Sequence, residues 1–200
     1  MPRKFDDNEK NSIHNKLLDA GYELFSQYGF KKTSVSDIAK ASGIASGTFY
    51  SFYASKEELF FALMEQEEQR IQHSLLQQLH GAPVNKEAFI VFLKQSLELI
   101  IDNPILKEVL LPEQLESIIR KVPASQWEGN YAGDVEKLGP LIVEWQSRNV
   151  VRADLEPALI ANLIRSLVLL SLQKKAIGNF SDTFEHLATS VAQYLTTTDH

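Results

Sequence analysis

One stretch limits what this chain can fold into more than any other: Lys31 to Leu59, KKTSVSDIAKASGIASGTFYSFYASKEEL. Ser34 stands three positions before Asp37, a spacing at which hydroxyl and carboxylate satisfy the orphan N–H groups of a new helix. Val35, Ile38 and Ala39 follow at i, i+3 and i+4 and make one short apolar face. Gly43 supplies a position that turns with positive φ, and Ile44 is an apolar plug for that turn. A second short helix, about Ala45 to Phe52, carries Phe49 and either Phe52 or Tyr53 inward. Ser46, Gly47, Thr48, Tyr50 and Ser51 are left outside. Ser55 and Glu58 form another capping pair and open a third helix. Two short helices joined by a glycine-containing turn constitute a helix-turn-helix, whose second helix enters a DNA major groove.

The outward residues suit that surface. Ser46 and Gly47 are small enough for close approach, and the hydroxyls of Thr48, Tyr50 and Ser51 can reach phosphates or base edges. Between Ser26 and Lys56 lie four lysines (Lys31, Lys32, Lys40, Lys56) and one acid, Asp37, in a chain of formal net charge −6. A basic patch on an acidic protein stands against the charge of the whole. The plainer reading of the same residues is a solvated face with hydroxyl caps.

The order of these residues resembles the DNA-binding domain of the TetR family of transcriptional repressors. Its elements are Gly29-Phe30, Thr33-Ser34, Val35-Ser36-Asp37-Ile38-Ala39, Ala41-Ser42-Gly43-Ile44, Gly47-Thr48-Phe49-Tyr50 and Ser55 to Leu59. The resemblance covers roughly the first 60 residues. It implies a DNA-binding set of Lys32, Thr33, Ser34, Val35, Ala45, Ser46, Gly47, Thr48, Tyr50, Ser51 and Lys56. In that set Ser34, Tyr50 and Lys56 contact phosphates, and Ser46, Gly47, Thr48 and Ser51 face bases. The chain departs from the pattern at Ala45, where the family has Ser or Thr, and at Phe52-Tyr53.

The rest of the chain reads as helical. Two hundred residues without cysteine exclude disulfides, thiolate metal sites and cysteine nucleophiles. No secretory signal or membrane-length apolar run is present, which makes a cytoplasmic protein the expectation. Residues 1–10 read as a flexible arm. A first helix opens at Asn11 or Ser12 with Ile13, Leu17, Ala20, Leu24 and Tyr28 on one face. It completes an N-terminal three-helix DNA-binding domain, 1–55. A helix from Lys56 to about His80 leads into a C-terminal ligand-binding and dimerisation domain, 56–200, in an all-α fold. In that helix Glu65, Glu67, Glu68 and Gln69 read as solvated, as do His73 and His80.

Gly81-Ala82-Pro83 breaks the chain. A helix over Lys86–Asp102, a short one to Leu111, another from Pro112 to Lys121, a loop from Pro123 to Asn130 and a helix ending near Arg148 follow, with Pro140 expected to kink the last. Broken helices around aromatic residues leave room for a ligand. The candidate lining is Phe89, Phe92, Leu93, Trp127, Tyr131, Leu141 and Trp145, with Trp127 as a lid, although aromatics at helical spacing are more often core. Glu98 pairs with Lys94 in this reading.

The segment from Pro157 to Gly178 is apolar almost all round and must be buried on both sides. Asp182 and Glu185 are expected to cap the last helix. A two-fold dimer through the final two helices is expected, with Leu163, Leu167, Leu170, Phe184, Leu187, Val191 and Leu195 as the candidate interface. The expected partners are double-stranded operator DNA, a second copy of the chain and a small-molecule effector, with no metal or other cofactor and no membrane. No phosphate-binding glycine loop, GxSxG or HExxH is present, so the reading is not an enzyme. The resemblance implies a repressor released by a small lipophilic or aromatic effector. A helical interaction module with a vestigial helix-turn-helix is the alternative.

Overall fold

The computed structural model describes residues 6–79, 85–110, 112–171 and 176–196. Its helices, in order, are α1 (Asp7–Tyr28), α2 (Val35–Ala41), α3 (Ser46–Phe49), α4 (Lys56–Leu79), α5 (Lys86–Asp102), a 3-10 helix over Leu106–Leu110, α6 (Pro112–Lys121), α7 (Ala124–Ser147), α8 (Pro157–Ser171) and α9 (Phe180–Leu195). Among the described residues the only β pairing is an isolated antiparallel bridge between Val151 and Thr196. The fold is all-α. No helix among the described residues is long and apolar enough to cross a membrane.

The chain divides into two compact units that are not simple halves. The first comprises residues 1–67 together with 104–123; the second comprises 68–103 and 124–200. The boundary read from the sequence lay at 55/56, where the first domain appeared complete. The start of α4 extends it, because Leu59, Phe60, Phe61 and Leu63 are all buried. Phe60 meets Phe25 edge-on at 5.2 Å and Phe30 at 5.0 Å between ring centroids. Each such ring removes large apolar area from water, and each edge-to-face pair adds roughly 0.5–1.5 kcal/mol beyond that burial. Ile105, Leu106, Val109, Ile118 and Val122 bury the returning segment.

The second unit has a core of Phe89, Leu93 and Leu97 from α5, Ile142 and Trp145 from α7, Ile160 and Leu167 from α8, and Ala188, Ala192 and Leu195 from α9. Its C-terminal end is tied down. The Arg152 N–H donates to the Leu195 carbonyl at 2.9 Å, and the Arg152 guanidinium lies 4.8 Å from the Tyr194 ring centroid. Asp154 accepts from Arg152, which lowers the pKa of the acid and raises that of the base.

Several expectations change. Residues 7–10 are helix rather than arm, because the Asp6 side chain accepts from the Glu9 N–H while Glu9 reaches back to the Asp6 N–H. Residues 1–5 lie outside the described residues, as do 80–84 with His80 and the expected break at Gly81. Glu67 is buried, not solvated, at 5% exposure. Lys94 pairs with Glu185 of α9 at 3.2 Å instead of with Glu98. Asp182 sits in the first turn of α9 and accepts from Asn179, which takes the N-cap place in a left-handed conformation.

The expected loop over 123–130 is the start of α7, and the helix continues through Pro140. Trp127 therefore belongs to a helix. Pro123 just before the first helical residue is well placed to start one, and a weak propensity at Gly129 and Gly133 is outweighed by the helix around it.

Candidate nucleic-acid interface

The helix-turn-helix is assembled from local bonds that each residue type makes possible. The Ser34 hydroxyl accepts from the Asp37 N–H at 3.2 Å and the Asp37 carboxylate accepts from the Ser34 N–H at 3.0 Å, closing both halves of a capping box, and the hydroxyl also donates to that carboxylate at 2.6 Å. These bonds, and secondarily the nearby Lys40 charge, hold the Asp37 carboxyl below its ordinary pKa. At the other end of α2 the Ser42 hydroxyl donates to the Ile38 carbonyl at 2.8 Å and the Lys16 carbonyl at 3.1 Å, fastening α2 to α1. Gly43 turns the chain at φ +69°. The Ile44 N–H then returns to the Ala39 carbonyl at 3.0 Å.

α3 begins immediately afterwards. Ala45 occupies its N-cap and contributes no side-chain cap. Phe49 is fully buried and Tyr53 nearly so, which fixes the rotation of the helix. Ser46, Gly47, Tyr50 and Ser51 are exposed and Thr48 is half-buried. Tyr50 is held against Phe49 edge-on at 5.5 Å, so its hydroxyl is projected from an anchored ring. A Cβ added to Gly47 would meet nothing within 4 Å. The protein's own packing therefore gives no reason for glycine there.

Other residues of the expected set are placed differently. Thr33 is 3% exposed, and its hydroxyl is given to the carbonyls of Gly29 at 3.0 Å and Leu24 at 3.3 Å. It locks the turn and is not presented to solvent. Lys56 is half-buried: its ammonium donates to the carbonyls of Phe30 and Thr33, each at 2.9 Å, and lies 4.4 Å from the Phe30 ring centroid. Burial lowers its pKa, partly countered by Glu57. Two of its three protons are committed inside the fold, leaving one for an outside acceptor. Lys32, Ser34 and Ala45 are exposed and Val35 half-buried. Lys32 and Lys40 line an open cleft of about 560 Å³ with Leu24, Tyr28, Thr33, Asp37 and Ala41.

Two acids far along the chain reach this region unannounced by any local pattern. Glu108 accepts from the Phe30 N–H at 3.0 Å, and Glu113 pairs with Lys31 at 3.4 Å.

Residues 17–63 match the family model described as bacterial regulatory proteins, tetR family. Residues 17–63 thus carry the tetR-family signature. Over 71 residues the chain is 41% identical to the HTH-type transcriptional regulator YvdT of Bacillus subtilis, covering 34% of this chain and 35% of that relative. The HTH-type transcriptional regulator UidR of Escherichia coli K12 is 22% identical over 160 residues, which are 80% of this chain and 79% of UidR.

Among solved structures, a TetR-family transcriptional regulator from Pectobacterium atrosepticum superposes with a TM-score of 0.77 at 18% identity, covering 98% of this chain and all of that one. RolR, in complex with resorcinol, superposes with a TM-score of 0.68 at 15% identity, covering 96% and 92%. The fold shared with these solved structures thus extends over nearly the whole chain, whereas the family signature is confined to residues 17–63.

The residues expected to line a ligand pocket are dispersed in burial. Phe89, Leu93 and Trp145 are core, with Trp145 edge-on to Phe89 at 5.1 Å and to Phe92 at 5.3 Å. Phe92 and Leu141 pack against that core, and Trp127 is half-buried on α7. The side chain of Tyr131 lies outside the described residues.

The expected dimer residues also divide. Leu167 and Leu195 point into their own unit at 1% and 0% exposure, because α8 packs on α5 and α7 and α9 packs on α5. Leu163, Phe184 and Val191 pack partly on the same core, while Leu170 and Leu187 are exposed, as are Leu159, Leu169 and Tyr194. Among the described residues no cluster of side chains has the makings of a metal site.

Proposed function

We propose that the chain is a ligand-responsive transcriptional regulator, most simply a repressor, that binds a palindromic operator as a homodimer and is released by a small lipophilic or aromatic effector. The observation that carries the DNA-binding part is the outer face of α3. Ser46, Gly47, Thr48, Tyr50 and Ser51 form a small, hydroxyl-rich surface around a glycine that the fold itself does not require. A protein backbone that must approach base edges closely has use for that surface.

The apolar residues left exposed on α8 and α9 support self-association, since two helices from each copy would cover them with like residues. The effector class is supported by relatives. RolR is solved with resorcinol, and a fatty acid metabolism regulator of Bacillus subtilis is 31% identical over 58 residues. Such a ligand lowers DNA affinity only as far as it prefers the DNA-incompetent conformation.

Selection of genomic fragments by the purified protein tests the reading, with Gly47→Glu beside it as a folded variant bearing a carboxylate on the same face. Wild type should enrich a palindrome whose half-site centres lie about one helical turn apart, near 34–36 Å, and the variant should not. Random, salt-sensitive recovery by both proteins would put the interaction-module alternative first.

A further inference from the structure

The backbone of Phe30 is held on both sides by side chains from elsewhere in the chain. Its carbonyl accepts from Lys56 at 2.9 Å, and its N–H donates to Glu108 at 3.0 Å, across 78 residues of sequence. The ring between them is buried against Phe25 and Phe60. Gly29 is the residue that admits the carboxylate: a Cβ built there would lie 3.3 Å from Glu108 Oε1, at a φ of +82° that side chains seldom adopt. Phe30 opens the turn from α1 to α2, and three residues later Thr33 and Ser34 fix where α2 begins.

Glu108 itself is on a firm base. The 3-10 helix that carries it buries Leu106 and Val109, with Ile105 immediately before. From α6 of the same segment Ser117 donates to Glu57 at 3.2 Å, next to Lys56. The chain enters this segment from α5 and leaves it into α7, both of which belong to the second unit.

We propose that Glu108 is a positioning residue for DNA binding: its carboxylate fixes the Phe30 amide and thereby the α1–α2 turn that sets the helix-turn-helix. DNA affinity then depends on a residue of the segment inserted between α5 and α7, which meets the turn through this part-buried hydrogen bond and, at the surface, through the Glu113–Lys31 pair. The inference rests on the DNA-binding reading above and adds to it a residue, 78 positions along the chain, that holds the turn.

The test compares wild type, Glu108→Ala and Glu108→Gln by hydrogen exchange and by binding to the duplex that wild type selects from genomic DNA. Glutamine keeps an acceptor oxygen in place; alanine keeps none. A hydrogen bond to a charged group is strong enough that its loss should speed exchange in residues 29–34 about tenfold or more. Exchange in α9 should stay unchanged, and Glu108→Gln should exchange close to wild type. Affinity of Glu108→Ala for the selected duplex should fall about tenfold, with Glu108→Gln recovering most of it.

Unchanged exchange in 29–34, or faster exchange spread over the whole chain, overturns the proposal in favour of plain packing. So does a local change in exchange with duplex affinity intact, and in that case the DNA-binding reading stands. If wild type selects no duplex, that reading fails and the positioning claim falls with it, while exchange still reports whether the bond holds the turn.

Discussion

Replacing Gly47 by alanine should make the protein more stable and worse at binding DNA. Gly47 is the second residue of α3, has ordinary helical backbone and has open space where a methyl would go. Glycine inside a helix is less favourable than alanine by roughly 0.8–1.0 kcal/mol. Since α3 is one turn long and Gly47 is near its start, about half of that is realised, which agrees with the ~0.4–1 kcal/mol found where alanine fits a glycine's backbone. A gain of about 0.5 kcal/mol in a chain of this length corresponds to a rise in Tm of roughly 1–2 °C. On the DNA side a methyl group interposed at van der Waals contact should cost at least about tenfold in affinity, equal to about 1.4 kcal/mol.

Thermal unfolding followed by circular dichroism and fluorescence anisotropy on the selected duplex at fixed salt measure the two effects. Gly43→Ala is the internal comparison, because φ +69° makes a side chain there strained, and its Tm should fall. Unaltered duplex affinity in Gly47→Ala would refute the argument that the glycine serves an outside partner. A fall in its Tm would refute the claim that the fold does not need it.

Other outcomes follow from particular contacts. Thr33→Val should destabilise by about 1 kcal/mol or more, as two carbonyls lose a buried donor, whereas Ser46→Ala should leave the Tm unchanged and weaken only duplex binding. Burial, with the Glu58 charge adding to it, raises the Tyr53 pKa to about 12. Since the unfolded phenol ionises near 10, stability from this group is fully present below pH 10 and lost as pH rises from about 10 to 12. Spectrophotometric titration should show a late-ionising tyrosine that is missing in Tyr53→Phe. Leu167→Ala should cost about 2–5 kcal/mol as a core truncation. Leu187→Ala should change monomer stability by less than about 0.5 kcal/mol and instead raise the concentration at which the dimer forms, as sedimentation equilibrium would measure.

Local chemistry made the helix-turn-helix legible in the sequence. Ser34 with Asp37, Gly43 and the inward Phe49 each act within a few residues of themselves, so their spacing states their roles. Thr33 is ambiguous in the sequence because a hydroxyl beside the DNA-facing helix serves equally well as a donor to carbonyls four and nine residues back, which is where burial places it. Lys56 likewise reads as a phosphate contact by its charge, and only its burial shows two of its protons given to carbonyls. The start of α1 is hidden in a run of charged residues that reads as an arm, although the spacing of Asp6 and Glu9 is that of a capping box.

Trp127 was put in a loop because Gly129 and Asn130 disfavour helix one residue at a time, while helix stability is summed over many. Leu167 could not be separated from Leu170 by periodicity, since an all-apolar helix shows two stripes and does not say which one meets its own core. The contact of Glu108 with Phe30 has no sequence signal at all.

The divided first unit bears on how such proteins can be recombined. Its family signature ends near residue 63, which invites joining that stretch to the C-terminal part of another regulator. A chimaera cut there would keep Phe30 and its turn but lose Glu108, Ser117 and the apolar residues from Ile105 to Val122 that complete the same core. The exchangeable module is therefore two pieces of chain, and residues 104–123 must travel with the helix-turn-helix they support.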